Sequence, residues 1–450
     1  MESYNYDKWG EAIPSQAGYT AERSVTGNEL GAGALNSPSD IFYDENDCLF
    51  YIADTGNNRI IAVDSDFTHA VRIYDSFTLY DGSRTVLKSP TGVFASDYIY
   101  IADNENSRIL VADKEGDVIN EITKPDSVIY DSNKTFMPQK VIADKAGNIY
   151  AVMNNITTGS AVFAPDGSFT GFYGADSAAG IADITGGYIA DMFVSDEKRA
   201  RRSRNIPTGI TNFDIDGDFI FTCTSSREDA VKKLNSAGNN IFSGKKLIFG
   251  DYTPMYDISQ NRLMSSEIID IDISEEGYIN CLDRTAGRIF QYDKECSLLF
   301  ISGGTGRQTG FFQQVSAIES ADGNIYITDS MKNNVTIFAE TDFGAVVHEA
   351  VKLYNDGYYE EALEPFQEVL KLDGGYRYAY KGVASALLRK GDYKNSMKYA
   401  ELADDRNIYS KAFEGYRREF VRSNGGFIFS VLALLMLAVL FFRKFRRKRK

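Results

Sequence analysis

Histidine and cysteine, which commonly act in catalysis or metal binding, are few in this sequence of 450 residues. The two histidines, His69 and His348, fall in segments that we assign to different domains, which excludes a multi-histidine metal centre. The four cysteines are too widely spaced for a CxxC metal site and too few for a disulfide framework, so we interpret them as free, mostly buried thiols. They are Cys48, Cys223, Cys281 and Cys296. The sequence contains no GxSxG elbow and offers no credible Cys–His or Ser–His pair for nucleophilic catalysis.

Carboxylates are abundant, and several of them recur within one repeated phrase. The phrase reads IADTGNNRI at 52–60, IADNENSRI at 101–109, CLDRTAGRI at 281–289 and ITDSMKNNV at 327–335. In the first three copies an Asp precedes an Arg by five residues across a strand–turn–strand corner. There the Asp can accept turn N–H groups and the Arg can pair back to it, so we interpret these residues as structural corners rather than catalytic groups. They are Asp54, Arg59, Asp103, Arg108, Asp283, Arg288 and Asp329.

The repeats predict units of four antiparallel strands. Each phrase follows an apolar strand and a turn, and two further short strands come after it. Two weaker copies, at 137–153 and 206–224, bring the number of units to six. Residues 23–38 are similar to residues 300–315, an outer strand followed by a Gly-rich crossover. We therefore expect the N-terminal strand to complete the sixth unit and close a ring.

This pattern resembles the NHL-repeat six-bladed β-propeller. The resemblance implies an all-β propeller at 20–342 after an N-terminal extension at 1–19, with radial four-stranded sheets around a central channel. Six-bladed propellers carry many unrelated functions, so the fold alone does not identify an activity. Lactonases of this fold hold one calcium ion with oxygen ligands around the channel, but the sequence assigns no ligand set for such an ion.

Two segments are candidate contacts for a partner. An insertion at 177–205 ends in a basic cluster on an otherwise acidic domain, and long insertions in compact repeats are often functional. The alternative is a solvated helix end that pairs with neighbouring carboxylates. The N-terminal extension holds an aromatic cluster with the single Trp of the chain, which either packs under the propeller, the interpretation we favour, or contacts a partner. The candidate contact residues are Arg199, Arg201, Arg202, Arg204, Tyr4, Tyr6 and Trp9.

The hydrophobic period changes from 2 to 3.6 near residue 343, which predicts a small helical unit at 343–424. The unit resembles one and a half to two tetratricopeptide (TPR) repeats, with Gly382 and Ala386 at helix contacts and Gly391 at a turn. So short a unit has little concave surface. We therefore expect an adaptor that sets the propeller against the membrane rather than a peptide-binding domain.

The C-terminal residues predict one transmembrane helix. Residues 425–442 are uncharged and mostly apolar, and at about 1.5 Å per residue they just span a bilayer core of about 30 Å. Seven of the last eight residues, 443–450, are Lys or Arg, so the positive-inside rule predicts a cytoplasmic tail and extracytoplasmic N-terminal domains. The first residues show no signal peptide, so we expect that a signal was removed. The alternative is a tail-anchored cytosolic protein.

The order of propeller, TPR unit, span and basic tail is similar to that of membrane-anchored NHL–TPR proteins of single-membrane bacteria, which are often associated with carbohydrate ABC importers. The resemblance implies a non-enzymatic scaffold without a cofactor that docks to the importer's permeases or solute-binding protein, or holds oligosaccharide near them. The alternatives are an anchored calcium-dependent lactonase-like or glycan-processing hydrolase that uses the channel, and a stand-alone receptor for peptide or wall polymer. The net charge of -15 disfavours nucleic acid as a partner.

Overall fold

The computed structural model describes residues 3–130, 133–154, 156–174, 209–227, 229–257 and 261–448. The chain divides into two compact units. The first unit contains Met1–Tyr4 and Ala17–Thr341, and the second contains Asn5–Gln16 and Asp342–Lys450. Part of the N-terminal extension that the sequence analysis places at 1–19 therefore belongs with the helical unit.

Within the described residues, six antiparallel sheets of three or four strands form the body of the first unit, and we call them blades 1 to 6. Two short strands, β1 (Tyr4–Tyr6) and β2 (Ala12–Pro14), form a separate two-stranded sheet, and β3 (Tyr19–Thr26) follows them. Blade 1 contains β4 (Asp40–Asp44), β5 (Leu49–Asp54), β6 (Arg59–Asp64) and β7 (Ala70–Tyr74), with a 3-10 turn at Thr55–Asn57. A hairpin of β8 (Ser76–Thr78) and β9 (Arg84–Val86) precedes blade 2. Blade 2 contains β10 (Pro90–Ala95), β11 (Ile99–Asp103), β12 (Arg108–Ala112) and β13 (Val118–Ile122).

The remaining blades follow the same order. Blade 3 contains β14 (Pro138–Ala143), β15 (Ile149–Met153), β16 (Ser160–Phe163) and β17 (Phe169–Tyr173). Blade 4 has, within the described residues, β18 (Ile210–Asp216), β19 (Phe219–Thr224) and β20 (Val231–Leu234), and the hairpin of β21 (Met255–Asp257) and β22 (Arg262–Met264) follows it. Blade 5 contains β23 (Ile268–Ile273), β24 (Ile279–Asp283), β25 (Arg288–Tyr292) and β26 (Leu298–Gly303). Blade 6 begins with β27 (Val315–Ala321), β28 (Asn324–Asp329) and β29 (Asn334–Glu340).

The N-terminal strand closes the ring. β3 pairs antiparallel with β29 as the fourth strand of blade 6, from Tyr19 opposite Glu340 to Thr26 opposite Asn334. The innermost strand of each blade contacts the innermost strands of both neighbouring blades, from β4 through β27 and back to β4. The structure is thus the six-bladed propeller that the repeats predict, and its closing strand is the one that the sequence predicts.

The innermost strands share one irregularity that shapes the channel. In blades 2 to 6 the register between the first and second strands shifts within the first three residues of the innermost strand. A bulge of this kind bends a strand and redirects the side chain at the extra residue. The bulged residues are Thr91, Gln139, Thr211, Ile269 and Ser316. With Ser39, which precedes β4, they form what we call the mouth layer of the channel.

Two further layers follow along the same strands. The next residue in each blade belongs to the floor layer, and the residue two positions beyond that belongs to the deep layer, because side chains i and i+2 lie on one face of a strand. The floor layer consists of Asp40, Gly92, Lys140, Asn212, Asp270 and Ala317. The deep layer consists of Phe42, Phe94, Ile142, Asp214, Asp272 and Glu319. Two residues of strand separate these layers by about 7 Å.

The second unit is helical. It contains α1 (Asp342–Asn355), α2 (Leu363–Leu372), α3 (Arg377–Lys390), α4 (Tyr393–Leu402) and α5 (Arg406–Lys448). Each helix packs on the next one in the chain. Gly391 ends α3 with a φ of 79°, a left-handed conformation that favours glycine, and the side chain of Asp392 caps α4 by accepting the Asn395 N–H at 3.2 Å. Gly382 lets α3 approach α2, because a Cβ there would lie 2.1 Å from the Phe366 ring. The assignment of these helices to TPR repeats stays a prediction.

The final helix carries the apolar run. Among the described residues, no single helix combines the length and hydropathy of a membrane span, whereas two parts of α5, Arg406–Phe427 and Phe429–Lys444, satisfy both together with a bend of 56° between them. Large apolar side chains of this run are exposed, as illustrated by Phe427 at 73% and Leu434 at 66%. The transmembrane assignment of 425–442 stays a prediction.

Candidate functional site

A cavity of about 790 Å³ lies at the mouth of the propeller channel. Mouth-layer and floor-layer side chains form its wall, and crossovers and corner loops add Glu267, Arg284 and Gln314. Arg284 donates to Glu267 at 2.5 Å, which neutralises that part of the rim. This volume is within the range of about 300–1,000 Å³ that is typical of small-molecule sites.

Hydroxyl groups of the mouth layer hold adjacent blades together. The Ser39 hydroxyl donates to the Thr91 carbonyl at 3.1 Å, the Thr91 hydroxyl donates to the Pro138 carbonyl at 3.1 Å, and the Ser316 hydroxyl donates to the Pro38 carbonyl at 2.7 Å. Each bond runs from one blade to the next around the ring. Within the described part of the chain, the Gln139 side chain makes no hydrogen bond, so its amide is available to a molecule in the cavity.

An ion pair forms the floor of the cavity. The Lys140 ammonium donates to the Asp40 carboxylate across blades 1 and 3, and Lys140 is 9% exposed. The other oxygen of Asp40 accepts the Val93 N–H of blade 2 at 2.7 Å, and Asp270 accepts the Ile318 N–H of blade 6 at 2.9 Å in the equivalent way. Each carboxylate therefore fixes the innermost strand of the following blade.

Burial and charge act against each other at this floor. Burial raises the pKa of Asp270 to about 7 although Lys140 opposes the change, and burial likewise raises the pKa of Asp40. Burial alone would lower the pKa of Lys140, but the nearby carboxylates of Asp270 and Asp40 outweigh it and raise that pKa. Lys140 is therefore charged at neutral pH, and its charge interacts with both floor carboxylates, Asp40 and Asp270.

The deep layer has an apolar half and an acidic half. Blades 1 to 3 contribute Phe42, Phe94 and Ile142, and the two phenyl rings lie 4.6 Å apart between centroids. Blades 4 to 6 contribute Asp214, which accepts the Ile273 N–H at 2.7 Å, Asp272, and Glu319. These acidic groups are the deeper continuation of the floor carboxylates.

Burial also perturbs the deep-layer acids. The pKa of Asp214 is raised to about 8 by burial and by the charge of Asp272, and burial raises the pKa of Glu319 well above its usual value. Glu319 accepts the Tyr43 N–H at 2.9 Å, and Asp272 accepts a hydrogen bond at 2.7 Å from the Asn280 amide. The floor and deep layers together hold five carboxyl groups and one lysine. Of these groups, Asp270 and Asp214 have pKa values near neutral pH.

The repeated corners combine two kinds of contact. Arg59 and Arg108 each donate through Nε to the Asp five residues earlier, at 2.7 Å in both cases. Backbone N–H groups of the crossover before each blade also donate to these corner carboxylates. The Lys88 N–H, for example, donates to Asp103 at 2.7 Å. Asp329 accepts the N–H groups of Gln313 at 2.7 Å and of Lys332 at 2.9 Å. The corners thus attach each crossover to its blade.

The third Asp–Arg pair differs from the expectation. Arg288 donates to Asp251 in the connection between blades 4 and 5 rather than to Asp283. Asp283 instead accepts the N–H groups of Glu267 at 2.7 Å and Thr285 at 3.0 Å. The same five-residue spacing therefore has two structural outcomes, because the Asp251 carboxylate takes the guanidinium in blade 5.

The candidate partner contacts are in different surroundings. Tyr4 is buried and donates to Asp251, and the Arg288 guanidinium lies 4.9 Å from its ring centroid. Tyr6 is also buried, whereas Trp9 is 77% exposed, with the Lys8 ammonium 4.9 Å from its ring centroid. The four insertion residues lie outside the described part of the chain. They are Arg199, Arg201, Arg202 and Arg204.

The thiols and acids offer no assembled metal site within the described residues, because no group of three His, Cys, Asp or Glu side chains there is placed to hold a metal ion. Cys223 and Cys281 are buried, Cys296 is partly buried and Cys48 is exposed. All four are free thiols, as the sequence predicts.

The floor and deep layers lie outside the recurring phrases and were not predicted from the sequence. Asp40 and Lys140 occupy equivalent positions two residues after the prolines of SPSD and MPQK. Extending the alignment to that position in every repeat would have placed these side chains at one level of the ring.

Comparisons with known proteins give only distant structural similarities. No protein-family model matches the chain, and no curated protein matches it either. A streptogramin B lyase structure is similar at 10% identity with a TM-score of 0.42, over 73% of this chain and 100% of that one. Virginiamycin B lyase from Staphylococcus aureus is similar at 9% identity with a TM-score of 0.42, over 72% and 100%. The β-propeller domain of Cps50 (Swd1) from Myceliophteria thermophila is similar at 10% identity with a TM-score of 0.41, over 68% and 98%.

Proposed function

We propose that this protein is a non-enzymatic scaffold of the bacterial cell membrane, held there by α5 with its propeller outside the cell. In this proposal it is accessory to a carbohydrate ABC importer and docks to the permeases or to the solute-binding protein. The importer association comes from the family resemblance of the domain order. The anchoring is supported by the structure of α5.

The observation that carries the proposal is the exposed apolar surface of α5. Phe427, Phe429, Leu434 and Phe442 are 66–76% exposed, and they lie within a run of similar residues. Soluble proteins rarely expose contiguous apolar patches larger than a few hundred Å², and larger patches mark membrane or protein contacts. The basic residues after Phe442 suit the anionic surface of a cytoplasmic leaflet. A lipid bilayer and neighbouring permease helices would both cover this surface.

Affinity purification from native membranes tests the proposal. The chain is tagged at its C-terminal tail, membranes are solubilised gently, and copurifying proteins are identified by mass spectrometry. Permease or solute-binding subunits in stoichiometric amounts are the expected result. The matched control is a chain tagged at its N-terminus and ending at residue 424, which should leave the membrane fraction. A full-length protein that washes off membranes with alkaline carbonate, or that purifies alone, would refute the scaffold.

A second candidate function has one feature in its favour. Asp270 and Asp214, with pKa values of about 7 and 8, resemble general acids, which act best when their pKa is near the working pH. A channel hydrolase of the lactonase or glycan-processing type would use such a group. The calcium ion of this alternative does not fit the described carboxylates as they stand, since both oxygens of Asp40, Asp214 and Asp270 already accept hydrogen bonds. A lactone panel with and without calcium tests this candidate, and turnover lost in Asp270→Asn would support it.

A further inference from the structure

We propose that the cavity at the channel mouth binds a neutral polyhydroxylated ligand, such as the end of an uncharged oligosaccharide, with Lys140 and Gln139 as its principal contacts. This inference rests on the proposed function in taking the propeller as a binding domain. It adds the chemical class of the ligand and the residues that recognise it.

The ammonium group of Lys140 supplies the first argument. An ammonium has three N–H donors, and within the described residues the structure gives this one a single acceptor, the Asp40 carboxylate. Lys140 lines the cavity although it is only 9% exposed. Unsatisfied donors on a buried charge are costly, so a molecule that offers oxygen acceptors at the floor of the cavity would be stabilised there.

The charges around Lys140 restrict the nature of that acceptor. An anionic ligand would face the carboxyl groups of Asp40 and Asp270, and a cationic ligand would bring a second positive charge beside the ammonium. A hydroxyl group avoids both penalties, because it accepts from Lys140 through its oxygen and donates its hydrogen to a carboxylate. A ligand with several hydroxyl groups can repeat this contact around the ring.

The walls of the cavity suit the same chemistry. Gln139 and Gln314 line it with side-chain amides that make no hydrogen bond within the described residues, and an amide both donates and accepts. Asn212 adds a third amide at the floor. Ligand hydroxyls would pair with these groups without breaking the hydrogen bonds by which the mouth-layer hydroxyls join the blades.

Isothermal titration calorimetry on the full-length protein in detergent tests the inference. The probes are three neutral trisaccharides (maltotriose, cellotriose and triacetylchitotriose), the anionic trigalacturonate, and the cationic glucosamine trimer. We expect at least one neutral trisaccharide to bind and neither charged one to compete with it. Gln139→Ala should weaken binding about fivefold or more, the loss expected for one or two hydrogen bonds. Gln308→Ala, which changes an exposed glutamine outside the cavity, is the matched control and should not alter affinity.

Several results would overturn the inference. Absence of heat with all three neutral trisaccharides, preferential binding of either charged one, or equal affinity of the Gln139→Ala and Gln308→Ala variants each contradicts it. Lys140→Met should abolish binding, and circular dichroism must show that this variant keeps its β-structure before its affinity is interpreted.

Copurification and calorimetry on the wild-type protein together separate this inference from the scaffold proposal. If that protein retains importer subunits but binds no trisaccharide, the cavity assignment alone is refuted. Trisaccharide binding by a protein that retains no importer subunit would refute the scaffold alone.

Discussion

Replacing Lys140 by Met should destabilise the propeller through charge rather than volume. The Met side chain is similar in length and apolar, so it fills the space of the Lys stem but leaves Asp40 buried without its cation. Removing one partner of a buried ion pair typically costs about 3–5 kcal/mol. Because the floor opens to a cavity that can hold water, we expect the lower end of this range, about 3 kcal/mol.

A double variant separates the ion pair from general damage. Asp40→Asn removes the uncompensated charge while its amide oxygen can still accept the Val93 N–H. The combination of Lys140→Met with Asp40→Asn should therefore recover at least about 1.5 kcal/mol relative to Lys140→Met alone, as expected for directly coupled residues. The loss in Lys140→Met should also shrink at pH 6, because the remaining carboxyl groups become protonated.

Hydrogen–deuterium exchange with mass spectrometry provides the measurement. Peptides that contain β4 and β14 report the opening free energy of the innermost strands, while peptides from the helical unit serve as an internal control. The electrostatic reasoning would be refuted if Lys140→Met lost less than about 1 kcal/mol, or if the double variant were no more stable than Lys140→Met.

Three further predictions concern other parts of the chain. The pKa values of Asp214 and Asp270 are raised to about 8 and about 7, so the folded state binds more protons than the unfolded state from about pH 4 to pH 8. The thermal midpoint of unfolding should therefore rise as pH falls from 8 to 6, and it should rise less in Asp214→Asn. A midpoint that falls would contradict the burial of these acids. Gly382→Ala should destabilise α2 and α3 by about 1–3 kcal/mol, because the added methyl group overlaps Phe366, and hydrogen exchange of these helices measures the loss. Gly425 has open space around it, so Gly425→Ala should leave the exchange of α2 and α3 unchanged. Equal exchange in the two variants would contradict the close packing at Gly382. A chain lacking β3 should aggregate through the exposed edge of β29 in size-exclusion chromatography, and a monomeric elution would show that blade 6 does not need its fourth strand.

Much of the propeller could be predicted because its signals are local and repeated. The corner phrases recur with turn residues at fixed offsets, and each strand alternates within a few residues of its turn. The closing strand was predictable for the same reason, since residues 23–38 repeat the sequence of an outer strand and its crossover.

The side-chain contacts in the channel could not be predicted, because they join segments that are distant in the sequence. Asp40 and Lys140 are 100 residues apart and meet only when blades 1 and 3 face the same axis. In the sequence, IIDIDI at 268–273 reads as an ordinary half-buried strand, and nothing local shows that Asp270 and Asp272 point toward a channel rather than toward solvent. The radius of the ring and the direction of each strand decide this.

The Arg288 contact illustrates a further limit of pattern reading. Its spacing from Asp283 matches the other corners, but the guanidinium pairs with Asp251 of the connection between blades 4 and 5. Repeats predict the contacts within one unit, whereas insertions between units alter them.

The closing strand also determines how the propeller responds to force. Tyr19 at the start of β3 lies opposite Glu340 at the end of β29, so the chain enters and leaves blade 6 at the same end of one antiparallel pair. Tension between the two ends of the propeller would therefore load one pair of hydrogen bonds at a time, from Tyr19–Glu340 toward Thr26–Asn334, instead of shearing all of them together. Under such a load blade 6 would open first, while blades 1 to 5 would remain folded behind it.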